Sequence, residues 1–231
     1  MFHYDVKKLK ASIEEIIIEN ITDEAWNWLQ MKVASHQTGA DFNSTFAAIP
    51  RRTGKQSITL SNDQKEVLSA CRKNFHIENW TADRLSRIWL LLQLDATDQH
   101  QYHRSIESLF LAAEMNELVA LYSSLPLLAY PEIWAQRCSE GVRSNIGNVL
   151  EALLYYNPYP SESLSQPAWN QLVLKAFFTE KQLDLIIGLY ERANQDLAYT
   201  LADYAKERAA AGREINPVLW LLADKFIDIP K

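Results

Sequence analysis

The chain has 231 residues, of which 48% are hydrophobic and only six are glycine, and its formal net charge is −6. This composition excludes disordered and collagen-like chains, and the negative charge argues against general nucleic-acid binding, which needs a basic stripe. The two cysteines accompany no CxxC motif or Cys/His cluster, which favours reduced thiols. The N-terminus lacks the apolar core of a signal peptide, and no apolar run approaches the ~20 residues of a membrane span. We therefore expect a cytoplasmic protein without direct membrane insertion.

The first half of the chain is patterned almost entirely as helix. Polar N-cap residues precede several of the apolar stripes, among them Thr22, Ser61, Thr81 and either Thr97 or Asp98. Apolar residues recur at helical spacing in six segments, over 6–21, 22–33, 61–74, 81–94, 97–110 and 116–124. Only SITL at 57–60 has the composition of a short strand.

The second half predicts one long helix followed by three more. Pro131 suits the first turn of a helix, and an apolar stripe continues from there to Tyr156. Asn157 precedes a proline, which disfavours the helical conformation, so we expect the helix to end at this point. The remaining helices are predicted over 165–178, over 194–212, and from Asn216 onwards.

These elements predict an all-α fold. About a dozen helices joined by short turns suggest an irregular α-α superhelical stack of antiparallel helix hairpins, of the HEAT or tetratricopeptide kind. No clean repeat of ~34 or ~40 residues is present, so a regular solenoid is not indicated. We expect a single domain over 1–231, and the alternative places a boundary at 123–131.

A basic cluster in AIPRRTGKQSITLS, residues 48–61, is the first candidate for chemistry. Arg51, Arg52 and Lys55 surround Gly54, a combination that can hold a carboxylate or phosphate. It is not a nucleotide-binding P-loop, because Gln56 replaces the required Ser or Thr and no strand precedes it. The alternative interpretation is an exposed loop between helices.

The sequence gives little support for a metal, a cofactor or catalysis. His100 and His103 are three residues apart on a helix, but no third ligand is recognisable, which favours a solvated face. His3, His36 and His76 are isolated and receive no role. No Ser/His/Asp, Cys/His or GxSxG pattern appears.

Lys175 is the strongest single candidate for a site. It belongs to a segment, 165–178, that is apolar nearly all round, as is typical of a buried helix. Asn170, Gln171 and Lys175 must therefore find partners or line a cavity, since a buried unpaired lysine is costly. The alternative is a structural salt bridge, for which Glu140 is a plausible carboxylate.

Two arginines present similar choices. Arg208 falls within the apolar stripe of its helix, so it either points into the interior with Lys175 or serves the end of its own helix. Arg137, Glu140 and Arg143 follow at i+3 spacing, which allows ion pairs along one helix.

Several long strings resemble the EboA family of bacterial proteins. They are IPRRTGK, EGVRSNIGNVLEAL, NPYP with AWNQLVLKAFF, and RANQDLAYTLADYAKERAAAGR with NPVLW, and together they extend over 45–225. The resemblance implies a gene cluster that traffics secondary-metabolite precursors and whose other proteins are potential partners; it implies no reaction for the family itself. Carried over by position, it highlights a set of mostly polar residues: Arg51, Arg52, Gly54, Lys55, Glu140, Arg143, Asn145, Asn157, Pro158, Tyr159, Asn170, Gln171, Lys175, Arg192, Asn194, Tyr204 and Arg208.

We therefore consider three hypotheses. The first is a non-catalytic binding or adaptor protein that holds a polar or anionic small molecule or docks a partner enzyme. The second is an enzyme that uses Lys175 as base or nucleophile, and the third is a purely structural helical-repeat interaction protein. The first predicts that cations converge on one cavity, and its candidate ligand-binding residues are Arg51, Lys55, Glu140, Arg143, Asn145, Asn170, Lys175 and Arg208.

Overall fold

A computed structural model describes residues 1–35 and 39–227 and contains only helices, turns and isolated bridges in those ranges. The all-α prediction is thereby confirmed. His36 lies outside the described residues. The α-helices are α1 Val6–Asn20, α2 Asp23–Ala34, α3 Gly39–Thr53, α4 Asn62–Cys71, α5 Ala82–Leu91, α6 Gln99–Ala112, α7 Met115–Ser124, α8 Ala135–Arg143, α9 Gly147–Leu154, α10 Tyr159–Ser163, α11 Gln166–Phe178, α12 Gln195–Ala210 and α13 Val218–Ala223.

Most helices begin where the sequence places a cap. The Ser61 side chain forms a capping box with Gln64 at the start of α4. Asp98, rather than Thr97, accepts from the first N–H groups of α6, and Asn194 does the same for α12. Thr81 stands before α5 as predicted but forms no side-chain capping bond.

The predicted long helix from Pro131 to Tyr156 is wrong. It is divided into a short 3-10 turn, α8 and α9, and the chain is extended at Ser144, where ψ is 140°. The Ser144 hydroxyl accepts from the Ile146 N–H at 3.2 Å, which stabilises the break. The ammonium of Lys175 binds the carbonyls of Val142 and Ser144, which the broken helix leaves without partners.

The first half of the basic segment is the end of a helix and not a loop. Helix α3 includes Pro50 and ends at Thr53, so that Arg51 and Arg52 lie in its last turn. Gly54 follows with a φ of 77°, a left-handed conformation that glycine adopts without strain. The SITL segment forms an isolated antiparallel bridge between Ser57 and Thr81 instead of a strand.

Helix α5 is the centre of the N-terminal half. It packs against α1, α3 and α7, and nine of its residues are buried. From α5 the contacts continue in a row through α7, α9, α8, α11, α12 and α13. This neighbour-to-neighbour order is what a stacked array requires, while a superhelical repeat stays a prediction. Within 1–35 and 39–227, no helix has both the length and the apolar character needed to cross a membrane.

Candidate functional site

A cavity of about 320 Å³ opens where α5 begins, beside α7 and α9. Its walls come from the segment 78–84, from Asn116 and Val119 of α7, and from residues of α9 and the turn that follows it. Lys55 and Leu185 complete it from two other parts of the chain. Lys55 is the member of the predicted basic cluster that reaches this cavity.

Backbone pairing explains why Lys55 lies beside the start of α5. Segments 56–58 and 80–82 run antiparallel and exchange two N–H to carbonyl hydrogen bonds, of 3.0 and 2.9 Å. Lys55 immediately precedes the first segment, and Arg84 follows the second by two residues. The pairing therefore brings two cationic side chains to the same cavity.

Arg84 is a desolvated cation that pairs with no carboxylate of residues 1–35 or 39–227. Its guanidinium stacks over the Trp80 ring, 4.2 Å from the centroid, and donates to the Ser123 hydroxyl. Its Nε atom is sealed from solvent and has no hydrogen-bond partner among the described residues. Burial lowers the pKa of Arg84 to about 9, and neighbouring Asp83 only partly opposes this. A guanidinium nevertheless stays protonated at neutral pH, so the Trp80 ring and the Ser123 hydroxyl, rather than a carboxylate, compensate this charge.

The carboxylates of the cavity do not neutralise this charge, because each already has another cation. They form ion pairs with cations that do not line the cavity. Glu78 pairs with Lys65 at 3.0 Å, Asp83 pairs with Arg87 at 2.8 Å, and Glu151 pairs with Lys181 at 2.6 Å. Lys55 is exposed and forms no ion pair with a described carboxylate. Lys55 and Arg84 are thus two positive charges available to a ligand.

The N-terminus of α5 adds to the positive potential. The first four N–H groups of an α-helix have no partner within the helix, and the helix dipole places partial positive charge there. The N–H groups of Ala82 and Leu85 are used by the carbonyls of Gln56 and Thr81. The Thr81 side chain does not cap the two N–H groups between them. Such a helix start is a suitable position for an anion.

Uncharged polar groups line the rest of the cavity. Asn79, Asn116 and Asn148 face it, and their side-chain amides make no hydrogen bond to a residue in the described ranges. The Tyr155 hydroxyl accepts from the Gln182 N–H at 3.2 Å and still has its own proton to donate. These groups can donate to and accept from a polar ligand.

Lys175 lies elsewhere and has a structural partner set. Its Nζ donates to the Val142 carbonyl at 2.8 Å and to the Ser144 carbonyl, and it forms no ion pair with a described carboxylate. Burial lowers the pKa of Lys175. The salt bridge expected from the sequence is therefore replaced by two backbone carbonyls at the end of α8.

The other predicted residues also lie outside the cavity. Arg51, Arg143 and Asn145 are exposed. The remaining three have local partners, since Arg208 bonds the Glu180 carboxylate and the Glu214 carbonyl, Glu140 pairs with Arg137, and Asn170 pairs with Asn194. Among the eight sequence candidates, the structure brings only Lys55 to this cavity. The five cations among them, Arg51, Lys55, Arg143, Lys175 and Arg208, therefore do not meet there.

Sequence reasoning missed Arg84, although a signal was present. Helix α5 is buried at every residue except the half-buried Arg84, and it carries Asp83, Arg84 and Arg87 among its apolar residues. Polar side chains on such a helix need partners or must line a cavity, as those of 165–178 do. Asp83 and Arg87 satisfy each other, which leaves Arg84 as the unexplained charge.

No metal centre is apparent in the part of the chain that the structure describes, where no three His, Cys, Asp or Glu side chains group suitably. His103 instead stacks on Trp134, with ring centroids 5.1 Å apart, and its Nε2 lies 3.7 Å from Glu107. His100 is exposed on the same helix. The expected solvated face thus describes His100, whereas His103 is half-buried against Trp134.

Comparison with known proteins identifies the family. Neither the curated proteins nor the solved structures include a match to this chain. The family model described as "Metabolite traffic protein EboA" matches residues 9–224. The match spans nearly the whole chain and confirms the resemblance seen in the sequence, so this protein is a member of the EboA family.

Proposed function

We propose that this protein is a non-catalytic binding protein that holds a small anionic metabolite in the cavity at the start of α5. The observation that carries the proposal is the charge arrangement in the described part of the chain, where both cations of the cavity lack carboxylate partners while its three carboxylates are paired with other cations. A bound anion would give Arg84 the counter-charge that the protein does not supply. The family description, metabolite traffic, is consistent with a protein that carries a molecule rather than converts it.

The two ligand-binding cations are Lys55, which the sequence predicted, and Arg84, which it did not. Charged hydrogen bonds at a shielded site are worth more than those at an exposed one, so Arg84 supplies most of the affinity. Lys55 is exposed and supplies attraction at the mouth of the site. Handing the ligand to an enzyme of the same gene cluster in the cytoplasm would join the binding and adaptor roles.

The alternative of an enzyme based on Lys175 has less support. A nucleophilic lysine needs a free electron pair on its nitrogen. The Lys175 ammonium donates to two carbonyls, an arrangement that stabilises its protonated form. Borohydride trapping of a carbonyl metabolite at Lys175 is the result that would favour the enzyme.

Mass spectrometry of small molecules that co-purify with the protein tests the proposal. The wild-type chain, Arg84→Met and Lys55→Gln are purified in parallel from the native cells under mild conditions. We expect an anionic compound at up to one equivalent with the wild type, less with Lys55→Gln, and none with Arg84→Met.

Arg51→Gln is the matched control, because Arg51 belongs to the same basic segment but lies outside the cavity. It should retain the compound at the wild-type level. A compound that persists in Arg84→Met at the wild-type level would overturn this site, and its loss in Arg51→Gln alone would favour the basic cluster itself.

A further inference from the structure

We infer that the anion held between Arg84 and Lys55 at the start of α5 is a dianionic phosphate monoester rather than a monoanionic carboxylate. The inference rests on the proposed function and specifies its ligand. Three features carry it: the number of free charges, the geometry of the donors and the polar lining beyond them.

The number of uncompensated charges favours a dianion. Lys55 and Arg84 each line the cavity without an ion-pair partner in the described ranges, so the site offers two positive charges. A carboxylate brings one negative charge and leaves one cation without a counter-charge. A phosphate monoester brings a charge of about −1.5 to −2 at pH 7, which matches both cations.

The donors suit a tetrahedral group with three free oxygens. Arg84 and Lys55 both line the cavity, Arg84 from the start of α5 and Lys55 from the adjoining segment. Thr81 lines the cavity, and its hydroxyl does not cap the second and third N–H groups of α5. A carboxylate has only two oxygens and would leave part of this donor set unused. Oxygens of a phosphate at a helix start use such N–H groups in the direction of the helix dipole.

The remaining surface suits a small polar body attached to the phosphate. Beyond the cations the lining combines the three amides of Asn79, Asn116 and Asn148 with apolar atoms of Val119 and Ala152. The volume of about 320 Å³ is at the lower end of the range for ligand pockets. A compact phosphate monoester with hydrogen-bonding groups on its carbon skeleton therefore fits better than inorganic phosphate alone.

Calorimetric titration with a matched pair of probes tests the inference. Glycerol 3-phosphate and glycerate each have a three-carbon skeleton with two hydroxyl groups, and they differ in the charge and the number of oxygens of the anionic group. We expect glycerol 3-phosphate to bind the wild type at least about tenfold more tightly than glycerate, since a lost charged hydrogen bond costs about this factor. Arg84→Met should abolish the binding, and Lys55→Gln should weaken it by about tenfold.

The pH dependence of the affinity for glycerol 3-phosphate is an independent test. The second pKa of a phosphate monoester is about 6, so the dianion fraction and the apparent affinity should fall by about tenfold between pH 7.5 and pH 5. Sulfate stays a dianion across this range and reports the titration of the protein itself. The groups concerned are Glu78, Asp83 and Glu151 in the cavity and His76, whose ring contacts Tyr156. We expect the ratio of the two affinities to change by about tenfold.

The outcomes separate this inference from the proposed function. Equal binding of glycerate and glycerol 3-phosphate, or a pH dependence identical to that of sulfate, overturns the phosphate assignment and leaves an anion site in place. If neither probe binds and the wild type co-purifies with a carboxylate that Arg84→Met loses, the phosphate assignment is likewise overturned and the anion site stays in place. Failure of both probes with no co-purified anion overturns the proposed function as well.

Discussion

Arg84 adds little to the free energy of unfolding, because its contacts only offset the cost of desolvating its charge. Among the described residues its half-buried charge has no carboxylate partner and its Nε has no hydrogen-bond partner, and the Trp80 ring and one hydroxyl provide the compensation. A stack over an aromatic ring is worth about 0.5–2 kcal/mol and a neutral acceptor about 1 kcal/mol, which roughly offsets the desolvation of the cation. An apolar side chain of similar length would stabilise the fold about as well.

We therefore predict that Arg84→Met changes the free energy of unfolding by less than about 1 kcal/mol in buffer without multivalent anions. Chemical denaturation measures this. Arg87→Met is the control one turn later on α5, because it leaves the buried Asp83 carboxylate unpaired and should cost about 3–5 kcal/mol. A comparable loss for Arg84→Met would make Arg84 a structural residue.

The Glu107–Arg137 pair predicts a pH effect on stability. Arg137 hydrogen-bonds Glu107 through two of its nitrogens and lowers the pKa of that carboxyl. A carboxyl whose pKa is lowered by folding stabilises the folded state above its unfolded pKa, and this contribution is lost as pH falls through its folded pKa.

We expect the melting temperature of Glu107→Gln to lie below that of the wild type at pH 7 and to approach it below about pH 4. A thermal unfolding series from pH 7 to pH 3 measures the difference. A gap that stays constant over this range would show that the ion pair contributes nothing beyond packing.

At the scale of elements, buried polar side chains support the points where helices stop. Lys175 binds the carbonyls released at the end of α8. Asn157 donates to the Tyr122 and Ala152 carbonyls, and Arg192 donates to three carbonyls around α10. Many of the residues that the sequence marks as awkward are therefore partners of backbone groups, which a buried helix end requires.

Lys175→Met should consequently destabilise the fold by about 2–3 kcal/mol, because it leaves two carbonyls unpaired in a shielded position. Urea denaturation measures the change. Lys206→Met provides the control, since Lys206 pairs with Asp203 on an exposed face of α12 and its loss should cost less than about 0.5 kcal/mol. A change for Lys175→Met as small as that of the control would show that water satisfies these carbonyls.

The sequence predicts helices well where the signal is local. The Ser61 box and the Asn194 cap lie within four residues of the groups they bind, and both are confirmed. The break between α8 and α9 was missed because the apolar stripe continues through it, at Val142, Ile146 and Val149. The residue that satisfies the broken end, Lys175, is 31 residues or more away along the chain. Local patterns contain no information on such a partner.

The candidate site is a property of the whole molecule. The cavity needs the pairing of 56–58 with 80–82 and the packing of α5, α7 and α9 around it. The sequence identified Lys55 from a local cluster of positive charge, and it could not show that Arg51, four residues earlier and in the last turn of α3, would lie outside the cavity. Arg84 becomes a candidate only when the nearby carboxylates are seen to be paired with other cations.

We also predict that the two halves unfold together, as expected for a single domain over 1–231. Helices α7 and α9 pack closely across the segment 123–131, and Arg72 pairs with Glu162 across it. Calorimetry should give one transition whose van't Hoff and calorimetric enthalpies agree. Two resolved transitions would support the boundary at 123–131.

A crystal soaked in tungstate, a tetrahedral dianion with strong anomalous scattering, shows whether the cavity binds an anion through Arg84. We expect an anomalous peak inside the cavity, within hydrogen-bond distance of the Arg84 guanidinium, and no such peak in Arg84→Met crystals. Peaks confined to exposed lysines and arginines, with the cavity free of tungstate in the wild type, would contradict this expectation.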